Sequence, residues 1–280
     1  MGGLCANNLE VLKLLNRYRF LTNPQFLRLG LVTKRNSVPR IMERFEFEKN
    51  PHIGQKDFGF IAGRGRLHRL YYLQKRGAKL LAETLKLDEE EVAFEKVKPP
   101  FLQDYFHRIA TIDFHIELDT FAERMRCEVD FFHTYFDTEG ANRGTPPTGR
   151  LRRLTKVKVG KYHLIPDAIF LLTDPQGKKH LFAVEVYNGH DTKRVVRQLQ
   201  KHRLAQEEGA ISLAYGLNMG YRVLLVFDQE NALRSALQRV RETPDFAEMA
   251  PYFAFQSLDG VKQHFAQGWR FFDAVERSIF

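Results

Sequence analysis

The stretch IPDAIFLLTDPQGKKHLFAVEVYNGHDTKR, residues 165–194, holds two apolar, strand-like runs on either side of a Pro-Gln-Gly turn. Each run places one carboxylate among hydrophobic residues, Asp167 in the first and Glu185 in the second. A buried carboxylate is costly unless something positive accompanies it. We therefore expect a β-hairpin whose two acids face a positively charged group.

Outward from this hairpin, apolar periodicity predicts alternating helices and strands. The predicted elements are helices over 102–125, 191–214, 230–243 and 259–276 and strands over 127–136, 162–173, 180–189, 221–228 and 251–258. The run YRVLLVFD is continuously apolar, as expected for a strand that is buried on both faces. The order indicates an α/β domain in which helices flank a mixed sheet on both faces.

The first ninety residues have the pattern of a winged helix-turn-helix domain. The predicted elements there are helices over 9–21, 23–30 and 33–50 and strands over 58–61 and 67–73. A short helix, a turn and a basic helix are the parts of a helix-turn-helix, and the two strands with a Gly- and Arg-rich turn would form the wing. The alternative is a small helical bundle used for dimerisation.

Positive charge is concentrated in this first part of the chain. Residues 1–82 hold 16 Lys and Arg against 5 Asp and Glu, a net charge of +11, whereas the whole chain carries +9. Such a concentration favours a polyanionic partner, and we expect double-stranded DNA. The predicted contacts on the third helix and the wing are Lys34, Arg35, Arg40, Arg44, Arg64 and Arg66. A merely solvated basic face is the alternative.

The chain is expected to have two domains. An acidic run, DEEEVAFEKVKPP at 88–100, ends in two prolines and reads as a helix end and a linker. We place the boundary near residue 97, so that residues 1–97 form the winged-helix domain and residues 98–280 form the α/β domain.

A basic segment, TEGANRGTPPTGRLRRLTKVKVGK at 138–161, interrupts the α/β domain. It contains two prolines, four glycines and seven Arg or Lys against one Glu, so we judge it too polar for a core. We expect a mobile loop that grips a nucleic-acid backbone, with a solvated loop as the alternative. The predicted contacts are Arg150, Arg152, Arg153, Lys156 and Lys158.

Several classes of protein are excluded by what the sequence lacks. It has no apolar run of 18 residues, which argues against a membrane span, and its N-terminus does not read as a signal peptide. Its two cysteines do not support a disulfide framework or a cysteine-rich zinc site, so we expect the cytoplasm. Neither a GxGxxG nor a Walker pattern is present, so no nucleotide cofactor is expected.

The order of elements, with Pro166-Asp167 in one strand and Glu185 in the next, resembles the PD-(D/E)xK nuclease superfamily. That is the fold of type II restriction enzymes and Holliday-junction resolvases. The resemblance implies that Asp167 and Glu185 hold Mg²⁺ or Mn²⁺, which polarises the scissile phosphate and activates water. The superfamily's usual lysine lies two residues beyond the glutamate, where this chain has Tyr187.

In some members of the superfamily the missing basic group lies on the following helix. Here Gln198-x-x-x-His202 is similar to the Q-x-x-x-Y of RecB-like nucleases, and Lys193 or Lys201 could supply the charge. We assign catalytic roles to Gln198 and Lys201. The superfamily often takes a third acidic ligand from the first helix or strand, and the candidates are Glu117 and Glu128, with Glu117 favoured.

The combination of both halves resembles the replication-relaxation family, which includes the MobC-type plasmid relaxases. The motifs that carry the resemblance are DYFHRIATIDFHIEL at 104–118, IPDAIF at 165–170, VEVYNG at 184–189 and RQLQKH at 197–202. His107, Pro166, Asp167, Ala168, Glu185 and Gly189 match the positions expected for that family, whereas Tyr187, Gln198 and His202 depart from them.

This second resemblance implies a bacterial protein of DNA mobilisation or plasmid replication that nicks one strand at an origin. Its partners would be double-stranded DNA with a nicked or melted origin and other mobilisation or replication proteins. A different class of function stays open, namely a non-catalytic replication or transcription regulator in which the nuclease fold only binds DNA. A site-specific double-strand endonuclease is a third possibility.

Overall fold

The computed structural model describes residues 6–31, 37–46, 51–89, 91–95, 104–139, 152–273 and 275–280. The chain divides into two compact units, Met1–Tyr105 and Phe106–Phe280. The predicted boundary at residue 97 falls within 96–103, outside the described residues.

The first unit alternates short helices and strands. Its helices are α1 (Ala6–Tyr18), α2 (Asn23–Arg28), α3 (Ser37–Glu46) and α4 (Lys75–Leu85). Its strands are β1 (Phe20–Thr22), β2 (Ile53–Lys56), β3 (Phe60–Ile61), β4 (Gly65–Arg66) and β5 (Leu70–Leu73). An antiparallel sheet has the order β1–β5–β2, and β3 and β4 form a separate hairpin between β2 and β5 along the chain.

Three predictions for this unit need correction. The strands predicted over 58–61 and 67–73 do not pair with each other, because β3 pairs with β4 whereas β5 pairs with β1 and β2. The first helix does not continue to residue 21, because Arg19 has a left-handed φ of 68° and the next residues form β1. Phe20 and Leu21 are buried in that strand, so their apolar side chains serve the sheet. Strand β2 was not predicted, since IGQK is short and half polar. The helix α3 lies within the helix predicted over 33–50, and Val38 and Met42 are buried on its apolar face.

The second unit contains the longer elements. Its helices are α5 (Tyr105–Met125), α6 (Thr192–Glu207), α7 (Ala210–Ala214), α8 (Glu230–Arg241) and α9 (Leu258–Gln263), with a 3₁₀ segment at Pro244–Tyr252. The strands before the hairpin turn are β6 (Glu128–Thr134), β7 (Thr138–Glu139), β8 (Arg152–Arg153), β9 (Val157–Val159), β10 (Tyr162–Leu164) and β11 (Ala168–Thr173). The later strands are β12 (Lys179–Tyr187), β13 (Tyr221–Phe227), β14 (Phe253–Ser257), β15 (Trp269–Arg270) and β16 (Glu276–Arg277).

A mixed sheet organises this unit, as the sequence predicts. Its seven strands have the order β16–β15–β14–β13–β12–β11–β6, with β12, β13 and β14 parallel and the other pairs antiparallel. On one face, Ile169 and Ala183 belong to the same apolar cluster as Leu199 of α6 and residues of α8. On the other face, Phe170 packs in a cluster with Phe114 of α5 and residues of α9. The core therefore lies on both faces of the sheet.

Four predictions for the second unit differ from the structure. The strand predicted over 162–173 divides into β10, which pairs with β9, and β11, which pairs with β12. The helix over 191–214 breaks at Gly209, which has a left-handed φ of 61°. The predicted last helix ends at Gln263, and the buried Trp269 begins a pair of short edge strands instead. The basic segment was predicted to lie outside the core, but part of it is buried. Val157 and Val159 of the β9–β10 hairpin pack in the same apolar cluster as residues of α6.

Among the residues that the structure describes, none of the helices combines the length and the apolar character needed to cross a bilayer.

Candidate active site

Asp167 and Glu185 lie side by side where β11 begins and β12 ends. The antiparallel register pairs Ala168 with Val184, and the Asp167 N–H donates to the Val184 carbonyl at 2.9 Å, so Asp167 lies opposite Glu185. Opposite residues of an antiparallel pair project from the same face. Both residues are buried, with exposed fractions of 8% and 4%. The two carboxylates therefore share the sheet face that α6 covers.

The Asp167 carboxylate accepts two hydrogen bonds. Its Oδ2 accepts the Val186 backbone N–H at 2.7 Å, which extends the β-ladder beyond the last backbone pair. Its Oδ1 lies 2.8 Å from Nε2 of His107, at the start of α5. Charge-assisted hydrogen bonds of this kind fix the orientation of a carboxylate. His107 is thus a positioning residue for Asp167.

The Glu185 carboxylate is held by α6 through a single oxygen. Its Oε1 accepts the Gln198 amide Nε2 at 2.9 Å and lies 2.8 Å from Nε2 of His202. Gln198 and His202 are four residues apart, so they lie on one face of the helix. Within the described part of the chain, both hydrogen bonds to this carboxylate fall on Oε1. Its Oε2 is therefore left for another ligand.

Burial and a like charge disfavour ionisation of Glu185. Removal from water raises the pKa of the Glu185 carboxyl well above its usual value, and the nearby charge of Asp167 raises this pKa further. The hydrogen bond from Gln198 and the charges of His107 and Arg194 act in the opposite direction. The pair therefore carries more negative charge than its protein surroundings compensate.

His202 does not supply the missing positive charge. Its side chain is fully buried, and burial lowers the pKa of His202 to about 3. The imidazole is accordingly neutral near pH 7, with Nε2 donating to Glu185 and Nδ1 lying 3.3 Å from the Tyr221 hydroxyl. That hydroxyl also donates to the His202 carbonyl at 3.1 Å. His202 thus orients Glu185 without neutralising it.

Tyr187 occupies the position of the superfamily's lysine. Glu185 lies two residues earlier on β12, so both side chains project from the same face of the sheet. The Tyr187 ring stacks on Phe227 with ring centroids 5.0 Å apart. Burial, followed by the charges of Glu185 and Asp167, raises the pKa of the Tyr187 phenol well above its usual value, so the group stays neutral. The buried hydroxyl has no hydrogen-bond partner among the described residues.

Tyr187→Phe is expected to leave the free energy of unfolding unchanged or to raise it by about 1 kcal/mol, because it removes a buried donor that has no protein acceptor. The measurement is urea unfolding of the full chain followed by circular dichroism. Tyr221→Phe is the matched control, since its hydroxyl is hydrogen-bonded, and it should lower stability. A loss of more than about 1 kcal/mol in Tyr187→Phe would show that this hydroxyl has a partner.

Positive charge reaches the pair from Arg194. Arg194, Gln198 and His202 recur every four residues on α6, and the charge of Arg194 lowers the pKa of both Glu185 and Tyr187. Lys201 is exposed, and its charge acts on His202. The structure thus brings Gln198 into contact with Glu185, and the charge of Arg194 acts on that carboxylate. The sequence already indicated this helix, since Gln198-x-x-x-His202 was singled out there and Arg194 lies one further turn before Gln198.

The predicted third acidic ligand does not join the pair. Glu117 lies ten residues after His107 on α5, which corresponds to about 15 Å along the helix axis. Glu128, the alternative, pairs with Thr173 at the far end of β11. In the described ranges, no group of three or more His, Cys, Asp or Glu side chains could hold a metal ion.

Two carboxylates are still a sufficient protein contribution for one kind of metal. Mg²⁺ is commonly bound by one or two carboxylates, with water and substrate phosphate oxygens completing its shell. The unengaged Oε2 of Glu185 and the mutual repulsion of Glu185 and Asp167 both suit such an ion. The donor set therefore fits Mg²⁺ or Mn²⁺.

The predicted DNA-contact residues that can be described are exposed. Arg40 lies on α3, Arg64 and Arg66 belong to the β3–β4 hairpin, Arg152 and Arg153 form β8, and Lys156 and Lys158 flank or belong to β9. Lys34, Arg35 and Arg150 lie outside the described residues, as does the side chain of Arg44.

A family model described as replication-relaxation matches residues 12–221. The match includes His107, Asp167, Glu185 and the whole of α6. No curated protein and no solved structure shows a significant match to this chain.

Proposed function

Because this chain belongs to the replication-relaxation family, we propose that it binds DNA and nicks one strand at the Asp167–Glu185 pair with the help of Mg²⁺ or Mn²⁺. The observation that carries the proposal is the opposition of two buried carboxylates on one sheet face, with the charge of one raising the pKa of the other. A divalent cation removes that repulsion.

The residues around the pair have separate roles in this reaction. Asp167 and Glu185 would hold the metal ion, which when bound would polarise the scissile phosphate and activate water. His107 fixes the Asp167 carboxylate, and Gln198 and His202 hold Oε1 of Glu185 so that Oε2 is available. Arg194 places a positive charge near the pair, where phosphate acquires extra negative charge in the transition state.

The topology around the pair supports a PD-(D/E)xK core. The acids lie on the antiparallel strands β11 and β12, the parallel strand β13 follows, and α6 leaves the end of the Glu185 strand and returns its polar side chains to that acid. In this reading, Arg194 takes the electrostatic role of the lysine that Tyr187 replaces. Lys201 remains a candidate for the same role.

The topology of the first unit supports a winged helix-turn-helix. Along the chain the elements follow the order α1, β1, α2, α3, β2, β3–β4 hairpin and β5. The exposed Arg40 lies on α3, which is the helix that would enter a major groove. The β3–β4 hairpin takes the place of the wing and carries Arg64 and Arg66. The proposed target is the origin of a plasmid or mobile element, where other mobilisation or replication proteins would also assemble.

Plasmid cleavage tests this function. Incubated with Mn²⁺ or Mg²⁺, the wild-type protein is expected to convert supercoiled plasmid carrying the cognate origin to open circles. Asp167→Asn should slow this conversion by about a thousandfold or more, because the ion loses a charged ligand beside the transition state. Glu123→Gln, which changes an exposed acid of α5, is the control and should cleave normally.

Each other outcome contradicts a part of the proposal. Equal cleavage by Asp167→Asn would exclude the pair as the active site. Unchanged plasmid with retained, salt-sensitive binding would support the non-catalytic regulator, and linear product would support a double-strand endonuclease.

A further inference from the structure

A phenyl ring projects from the hairpin of the first unit. Phe60 is 73% exposed, an unusual position for the largest apolar side chain of a short β-hairpin. Its cross-strand neighbour is Arg66, and the next pair toward the turn is Ile61 with Gly65. Phe60 therefore lies at the side of a narrow tip, next to an arginine.

The hairpin that carries Phe60 is held in one shape by Asp57. The Asp57 carboxylate accepts the Gly59 N–H at 2.8 Å and the Arg66 guanidinium at 2.8 Å, and Arg69 lies 3.8 Å away. The hydrogen bond and the charge of Arg66 contribute to a lowered pKa of Asp57, after the larger effect of the Gly59 hydrogen bond. Phe60 is thus presented by a preorganised segment, and its exposure is not the result of a loose chain.

The tip of the hairpin is also narrow because it contains glycines, which have no side chain and which the backbone conformation requires. Gly59, Gly63 and Gly65 have φ values of 74°, 76° and 80°, and an added Cβ at any of them would meet no atom within 4 Å. Positive φ, and not lack of space, therefore selects glycine here. The result is a slender hairpin whose projecting groups are Phe60 and the arginines.

The charge around Phe60 identifies the partner. Residues 56–69 contain Lys56, Arg64, Arg66 and Arg69 against the single acid Asp57. Cations attract the phosphate backbone, and the minor groove of B-DNA is about 6 Å wide, which a slender hairpin can enter. Proteins that enter this groove combine arginine or lysine with an apolar wedge that separates two stacked base pairs. An exposed phenyl ring with an arginine as its cross-strand neighbour has that composition.

We propose that Phe60 is a wedge that inserts between two base pairs of duplex DNA from the minor groove and unwinds the duplex locally. The inference rests on the proposed DNA-binding function and adds a second activity to it, namely distortion of the bound duplex. Partial unstacking of a base step is unfavourable, and burial of the phenyl together with the phosphate contacts of the arginines offsets this cost. A nicking protein that acts on a melted origin needs such a step, because an intact duplex resists the separation of its strands.

Plasmid unwinding tests the wedge without knowledge of the target sequence. Full-length protein is bound to closed circular plasmid in EDTA, which prevents metal-dependent nicking, and a type IB topoisomerase then relaxes the complex. After removal of protein, wild type should leave a lowered linking number in proportion to the amount bound. Phe60→Ala should reduce this shift by about half or more at equal occupancy, whereas Phe60→Leu, which keeps an apolar wedge, should retain most of it.

The controls separate the wedge from DNA binding itself. Leu213→Ala removes another side chain with 73% exposure, from α7, and should not change the shift. An equal shift for wild type and Phe60→Ala, or no shift at saturating wild-type binding, would overturn the wedge and leave DNA binding intact. Absence of DNA binding by wild type would overturn both proposals. A wild-type dimer that becomes monomeric in Phe60→Ala would assign the phenyl to contact between copies and would also overturn the wedge.

Discussion

Glu185→Gln is expected to abolish strand cleavage and, at the same time, to stabilise the folded protein. Glutamine keeps an oxygen that can accept from Gln198 and His202, but it removes a buried negative charge next to Asp167. Removal of an uncompensated buried charge should raise the free energy of unfolding by about 1–2 kcal/mol. Cleavage should fall by about a thousandfold or more, because the metal ion loses a charged ligand.

The stabilisation by Glu185→Gln should depend on pH in a defined direction. Because the pKa of Glu185 is raised in the folded protein, the folded state holds a proton that the unfolded state has already released above about pH 4.5. Wild-type stability from this group therefore falls as pH rises above that value, and the glutamine variant does not share this fall. The advantage of Glu185→Gln should be larger at pH 8 than at pH 4.

Urea unfolding of both proteins in EDTA at the two pH values is the measurement. Glu207→Gln, which changes an exposed acid of α6, is the matched control and should show neither effect. A lower stability of Glu185→Gln at pH 8 would mean that the protein already neutralises the carboxylate, which would contradict the proposed metal ion.

Gly77→Ala is expected to disrupt the first unit and leave the second folded. A Cβ at position 77 would lie 2.2 Å from the His52 carbonyl oxygen, which is backbone and cannot turn aside. Alanine normally stabilises a helix by about 1 kcal/mol relative to glycine. Here the overlap should dominate and cost about 3 kcal/mol or more, because α4 must move away from the His52 backbone.

Destabilisation of the first unit by Gly77→Ala should reduce DNA binding and leave the folding of the second unit unchanged. Duplex affinity of Gly77→Ala should fall by about tenfold or more, while the second unit still unfolds cooperatively. Gly220→Ala is the control in the second unit, since its Cβ would meet nothing within 4 Å and its φ is ordinary. Unchanged DNA affinity in a Gly77→Ala protein whose first unit has lost its protease protection would contradict the assignment of DNA binding to that unit.

The hairpin that carries the acids could be predicted because its signals are local. Two apolar runs, separated by a turn that begins at Asp174, produced the β11–β12 pair, and this prediction is confirmed. Once the runs are paired, the alternation of side chains places Asp167 and Glu185 on one face. The continuous apolar run of β13 was likewise recognised as a strand.

The errors occur where tertiary contacts override local pattern. Phe20 and Leu21 continue the helical spacing of α1, yet the left-handed backbone at Arg19 ends the helix before them. They form β1 instead, and its partner strand β5 lies about fifty residues later in the chain. Val157 and Val159 lie among lysines and looked like loop residues, but they alternate inward against α6 and α7. No local window contains these partners.

The surroundings of the site were harder to predict than the acids. The sequence directed attention to Lys201 because a lysine was missing at position 187. The structure instead places the neutral His202 against Glu185 and gives Arg194 the electrostatic influence. A choice based on side-chain type alone favoured the lysine, whereas the four-residue spacing on α6 decides which side chains face the sheet.

Manganese soaked into crystals of the full-length protein tests the central claim most directly. We expect an anomalous peak next to the carboxylates of Asp167 and Glu185, which would hold the ion, and we expect this peak to disappear in Asp167→Asn. Two results would contradict the proposed metal site. One is an anomalous map without a peak, in which a Lys or Arg side chain fills the space between Asp167 and Glu185. The other is manganese bound without contact to either acid.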